Sequence, residues 1–141
     1  MEIKFVVIGE PFGKKRPRAR VIGKHASVYN DPANQNYELK VVNAFNQVYH
    51  GEYPMFDEKA FVRAGIRATY TIPKSFSKKN RTLALLGYLK PTKKPDLDNI
   101  AKTILDGLNG FAYHDDAQVV TLYIEKQYGE NAQVEITLEM I

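Results

Sequence analysis

The sequence predicts an α+β domain, a mixed or antiparallel sheet with helices packed on it. Three observations carry that expectation. Phe61 to Ile72 alternates apolar and polar residues with the period of two that marks a half-buried strand. Leu97, Ile100, Ala101, Ile104, Leu105 and Leu108 recur at the spacing of one helical face. The elements follow in the order β, α, β, short α, α, β, β, which is not a regular β-α-β alternation. The 141 residues suit one domain, 1–141, able to bury a core without staples.

Glu2 to Ile8 is apolar and β-branched and reads as a strand. Gly9 to Lys24, rich in Gly, Pro and basic residues, reads as an irregular loop. Asp31-Pro32 starts a helix, with Asp31 as N-cap and Pro32 at the first helical position. That helix is expected to run to about His50, with Gly51 past its end and Tyr37, Val41, Ala44, Phe45 and Val48 as its buried stripe. In Phe61 to Ile72, the residues Val62, Ala64, Ile66, Ala68, Tyr70 and Ile72 share the inner face, and Pro73 closes the strand. Ser77 to Leu86 reads as a short helix. The helix beginning at Leu97 ends at Asn109-Gly110. Val119 to Glu125 and Ala132 to Met140 read as strands, joined through Tyr128 to Asn131 as a hairpin.

Charge is unevenly distributed. Lys59 to Pro95 holds ten Lys or Arg and no acid, whereas Asp96 to Ile141 holds nine acids and two bases. Six further bases fall between Lys14 and Lys24. Such blocks fit a chain that attracts a polyanion and holds cations, or an ordinary surface whose charges mix in space. The absence of cysteine excludes disulfides and thiolate-held zinc. His25, His50 and His114 have no zinc-like spacing, and neither a phosphate-binding GxxxxGK[ST] loop nor a GxSxG elbow is present. Without a signal-peptide pattern or a membrane-length apolar run, a soluble cytoplasmic protein with no membrane partner is expected.

Asp96 and Asp98 flank Leu97 where its helix begins, and Asp115-Asp116 follows in the loop after that helix. Leu97, as part of the buried stripe, is expected to anchor the segment and direct both aspartates outward. Asp98 alone suits an N-cap. Capping requires no second carboxylate at Asp96, and four carboxylates in a short span repel unless a cation or base sits among them. Hard oxygen donors of this kind suit Mg²⁺, with Mn²⁺ able to substitute, and such a site suits phosphodiester cleavage. Lys102 lies four residues after Asp98. It either forms a plain i,i+4 ion pair or stabilises a phosphate in the transition state. Asn99, Lys102 and Asp106 form a polar row on the helix.

Together these segments resemble a known family. Lys94-Pro95-Asp96-Leu97-Asp98-Asn99-Ile100-Ala101-Lys102, then Leu105 to Gly110, then Asp115-Asp116-Ala117-Gln118-Val119 resemble the signature of the RusA Holliday-junction resolvases. Gly13-Lys14-Lys15-Arg16-Pro17-Arg18 resembles the basic loop many members carry. The resemblance implies a RusA-like fold and a homodimeric, magnesium-dependent endodeoxyribonuclease. Such an enzyme makes paired symmetric nicks in a four-way junction or other branched DNA. It maps the metal ligands to Asp96, Asp98 and Asp116 and the essential lysine to Lys102, with Asp115 beside the last ligand. The sequence differs from some members in placing Pro95, not arginine, before Asp96. Lys14, Lys15, Arg16, Arg18, Lys93, Lys94 and Asn99 are the expected DNA contacts. Two other readings are a branched- or single-strand-binding module without catalysis and a metal-dependent hydrolase of other phosphoesters.

Overall fold

The computed structural model describes Met1–Ile141. A four-stranded sheet has the order β1-β6-β4-β5, from β1 (Glu2–Ile8), β4 (Val62–Thr71), β5 (Val119–Gly129) and β6 (Gln133–Met140). β6 runs antiparallel to both β1 and β4, and β5 runs parallel to β4. Helices α1 (Pro32–Val48) and α3 (Leu97–Gly107) contact each other and the sheet, while the short α2 (Lys78–Leu85) sits against β5. The fold is α+β, as expected.

The core follows from the alternation. Ile3, Phe5 and Val7, then Val134, Ile136 and Leu138, then Val62, Ala64, Ile66 and Ala68 turn the inner face of three strands toward the helices. Tyr37, Val41 and Phe45 of α1 and Ile100, Ala101 and Ile104 of α3 cover them, and Phe5 meets Phe45 edge-on at 5.6 Å. Each fully buried aliphatic or Phe side chain there contributes about 1.5–3 kcal/mol of hydrophobic free energy. The Asp31 carboxylate accepts from the Ala33 N–H at 2.9 Å, so the predicted cap is in place.

Five expectations are corrected. The stretch from Arg18 onward is not an irregular loop: β2 (Arg18–Ile22) and β3 (His25–Tyr29) pair as a separate antiparallel ribbon. Its β-branched residues were outweighed by neighbouring Gly, Pro and charge in the sequence pattern. β5 and β6 are not hydrogen-bonded to each other, because β4 lies between them. Their link crosses over the end of β4, spanning two strand spacings, roughly 10 Å. The Gly129 carbonyl accepts from Ile72 and the Ala132 carbonyl from Gly9. A local turn signal cannot tell a hairpin from this crossing. β5 also runs on to Gly129, beyond the predicted Glu125. α1 stops at Val48, which is exposed, and Tyr49 takes an extended conformation before Gly51 is reached. Leu97 is 37% exposed and so does not anchor its helix; Ile100, Ala101, Ile104 and Leu108 do.

The two charge blocks mix on the outer face of the sheet. Arg67 meets Glu125 at 2.6 Å and Glu135 at 4.0 Å, and Arg63 meets Glu139 at 3.3 Å. The basic strand β4 is therefore partly neutralised by its acidic neighbours. Exposed bases without an acidic partner remain at Lys15 and Arg16 in the loop before β2, at Arg20 and Lys24 in the ribbon, at Lys78 and Lys79 of α2, and at Lys90, Lys93 and Lys94 before α3. No helix is long and apolar enough to cross a membrane.

Candidate active site

α3 presents two carboxylates with no partners. Asp96, not Asp98, occupies the N-cap position, and its side chain makes no capping hydrogen bond. Asp98 stands in the first turn, and both side chains are exposed. Neither therefore serves the helix as a hydrogen-bonding cap, although both sit where the helix dipole favours negative charge.

The segment before Asp96 is fixed from the sheet. The Tyr70 hydroxyl donates to the Pro95 carbonyl at 3.1 Å. Burial, with Glu10 and Asp96 nearby, pushes Tyr70 up to about 12, so it remains a donor at neutral pH. Lys93 and Lys126 each place an ammonium 5.5 Å from the centre of its ring, and Lys126 donates to the Lys93 carbonyl at 2.7 Å. The Lys94–Pro95 peptide is cis.

The N-terminal loop forms the opposite wall. A cavity of ≈ 690 Å³ opens between Pro11–Arg16 and Lys94, Pro95, Asp96, Asp98 and Asn99. The Lys14 N–H donates to the Asn99 carbonyl at 3.4 Å. Gly13 lies so close to Pro95 that a Cβ there would sit 2.5 Å from the proline Cβ. Phe12 stacks on Tyr37 at 5.0 Å. The fully buried Asn34 accepts from the Lys15 N–H at 2.7 Å and donates to its carbonyl at 2.9 Å. Lys15, Arg16 and Lys94 thus line the same groove as Asp96 and Asp98.

A second cluster forms behind the first. Lys14 donates to the Asp106 carboxylate at 2.6 Å, and Lys102 lies 3.3 Å from it. Lys102 therefore pairs with Asp106, not Asp98. Burial raises the Asp106 carboxyl, but the hydrogen bonds and charges of Lys14 and Lys102 outweigh it and hold it below the usual range. Asp116 is pushed the other way, first by burial, then by a shared hydrogen bond with Asp115 and the charges of Asp106 and Asp115. Asp106, Asp115 and Asp116 thus crowd together, with only Asp106 neutralised by lysine.

Gln118 pins the acidic loop. Its side-chain oxygen accepts from the His114 and Asp115 N–H groups at 2.8 and 3.2 Å, and its amide donates to the carbonyls of Asp57 and Ala60. Asn109 accepts from the Asp116 N–H at 2.8 Å. Asp106 as a two-lysine acceptor, and Asn34 and Gln118 as positioning residues, are roles that the sequence pattern alone does not assign. Asp106 had two signals, its place in the polar row with Lys102 and in the Leu105 to Gly110 segment of the family signature, and Gln118 had one, in the Asp115 to Val119 segment. A lone Asn inside a helix gives none.

The other predicted contacts are distributed unevenly. Arg18 is held by Asp31 at 2.9 Å, Lys93 lies over Tyr70, and the Asn99 side chain is exposed. No group of three Asp, Glu, His or Cys side chains is arranged to hold a metal ion. Asp96, Asp98 and Asp116 are therefore not converged on one point. The donor set still fits a hard cation in kind. Asp96 and Asp98 have no hydrogen-bonding or ionic partner, and burial and the neighbouring acids Asp115 and Asp106 hold the Asp116 carboxyl above its usual range, an environment that a hard cation would relieve.

The family model described as endodeoxyribonuclease RusA matches residues 9–139. The chain is also 35% identical over 142 residues to the Bacillus subtilis (strain 168) protein printed as "Uncharacterized protein YqaN", covering 99% of this chain and 96% of that one. The matched span takes in the basic loop, the α3 carboxylates and the acidic loop with its Gln118 pin, and the chain belongs to the RusA endodeoxyribonuclease family.

Proposed function

We propose that residues 1–141 act as one magnesium-dependent endodeoxyribonuclease domain that cuts branched DNA, four-way junctions above all, by paired symmetric nicks as a homodimer. The observation that carries this is a pair of partnerless carboxylates, Asp96 and Asp98, on the wall of a groove that also holds the unpaired bases Lys15, Arg16 and Lys94. Such a groove draws in a phosphate backbone and keeps oxygen donors beside it.

Asp96, Asp98 and Asp116 are the residues that would hold Mg²⁺, with Mn²⁺ as a substitute. When bound, the ion supplies charge for the reacting phosphate oxygens and makes water a better nucleophile at neutral pH. Lys15, Arg16, Lys93, Lys94 and Asn99 orient the strand. Lys102, set by Asp106, supplies positive charge beside the phosphate as negative charge builds up. Asp115 helps to hold Asp116 in place. Two sites related by a two-fold axis suit opposed nicks. The outer edge of β5, which carries exposed Val120, Leu122 and Tyr123, offers a second copy a surface.

The test is a synthetic four-way junction, scored for symmetric nicks with Mg²⁺ and with EDTA. Cutting is expected only with the metal, and Asp96→Asn should abolish cutting while leaving binding intact. One observation favours the rival reading, a DNA-binding module that does not cut: the carboxylates do not converge on one point. Wild-type protein that binds junctions but never nicks them with Mg²⁺ or Mn²⁺ would establish the rival.

A further inference from the structure

We propose that the β2–β3 ribbon is a nucleic-acid arm that lies along the groove of a duplex leaving the carboxylate site; this rests on the endonuclease reading above. All ten residues of the two strands are exposed, and the ribbon forms a sheet separate from the other four strands. Two-stranded hairpins alone are marginal in water, so a fully exposed one gains most of its order from a root and a partner.

The root is present. Arg18 is held by Asp31, the cap of α1, and the loop feeding the ribbon is clamped by Asn34. That same loop forms the wall opposite Asp96 and Asp98. A duplex gripped by the ribbon would therefore run past the carboxylates. The tip is a tight turn with Gly23 at φ 62°. Five residues per strand give a projection of about 17 Å.

The chemistry selects the partner. From Pro11 to Asn30 the chain has no Asp or Glu and six Lys or Arg. Two copies of such a ribbon would repel, whereas a polyanion would release counterions on meeting it. The cross-strand register places Arg20 opposite Ser27 on one face, with Arg20 also over the Tyr29 ring at 5.8 Å. The other face holds only Ala19, Val21, Ala26 and Val28, short side chains that let the strands approach a sugar-phosphate wall. A two-stranded ribbon fits the DNA major groove, which is about 12 Å wide. With so few donors the arm would read the shape and direction of a duplex arm, not its sequence.

The test compares wild type with Arg20→Ala/Lys24→Ala and with a shortened ribbon in which an Asn-Gly turn replaces Arg20 to Ser27. Junction affinity is measured in EDTA at several salt concentrations, nicking in Mg²⁺, and mass by light scattering. Both variants should stay close to the wild-type circular dichroism and melting temperature, because the altered residues are exposed and lie beyond the Arg18–Asp31 root. The double variant should bind about tenfold more weakly, with a salt slope shallower by about 2, as for two lost phosphate contacts. If wild type binds and nicks junctions and both variants match it in affinity and slope, the arm is overturned and the nuclease reading stands. If wild type binds no junction, both fall. If affinity falls only because the variants change oligomeric state, the ribbon joins copies of the chain and the arm is overturned.

Discussion

The Tyr70 hydroxyl at the end of β4 donates to the Pro95 carbonyl, 3.1 Å away, and so ties the sheet to the residue preceding Asp96. Tyr70→Phe removes that tie without opening a cavity. The expected stability loss is about 1 kcal/mol. Nicking should slow several-fold while junction affinity measured in EDTA stays within twofold. An equal loss in both would make Tyr70 a determinant of DNA binding.

Gly13 and Pro95 define how closely the two walls of the groove approach. A methyl group on Gly13 would require the loop or Pro95 to shift, since its Cβ would lie 2.5 Å from the proline's. Gly13→Ala should cost about 1–3 kcal/mol, the range for overpacking a tight contact. Chemical denaturation measures that cost. An unchanged midpoint together with full nicking activity would show that the walls separate freely.

Asp106 holds Lys14 and Lys102 at once. Asp106→Asn should reduce nicking at least tenfold, because both ammonium groups lose their reference point, with a smaller effect on binding. Its pH behaviour has a definite sign. The folded carboxyl titrates below 3.8, so its contribution to stability is complete above that value and is lost as pH falls through the folded pKa. Melting curves from pH 6 downward should show wild type losing its advantage over Asp106→Asn at the acid end. A constant gap would contradict this.

Asp116 has the opposite sign. Its carboxyl titrates above 3.8, so ionisation works against the fold from that pH upward. Asp116→Asn should therefore raise the melting temperature in EDTA, by only about 1–2 °C because the group is only half-buried and solvent screens it. Added Mg²⁺ should stabilise wild type and not the variant. Nicking should be lost. Equal stabilisation of both proteins by Mg²⁺ would remove Asp116 from the ligand set.

The legible parts were those with a local cause. The alternation in β4, the Asp31-Pro32 start of α1 and the Ile100, Ala101 and Ile104 face of α3 each follow from a few neighbouring residues, and each is present. The illegible parts depend on distant partners. Whether β5 pairs with β6 or with β4 depends on which strand fills the gap, and the turn at Glu130 cannot encode that. Leu97 fits the helical stripe but lies beyond the sheet's cover. Asp96 and Asp98 were visible as a motif, but their freedom from capping was not, since it depends on side-chain geometry. The basic loop was visible as composition, whereas its clamp by the buried Asn34 was hidden in an unremarkable helix position.

The position of β6 has a consequence for how this molecule is made. β6 follows every other strand in sequence yet fills the slot between β1 and β4, pairing Glu2 with Glu139 and Ala64 with Leu138. High contact order of this kind delays folding until the distant partner is available. On a ribosome, β1 and β4 emerge with the strand that joins them still unmade. The groove walls, held by β4 through Tyr70 and by the loop after β1, cannot settle before then. The nascent chain thus carries its carboxylates and basic loop unassembled, and becomes competent to act on DNA only when its sheet closes from the middle.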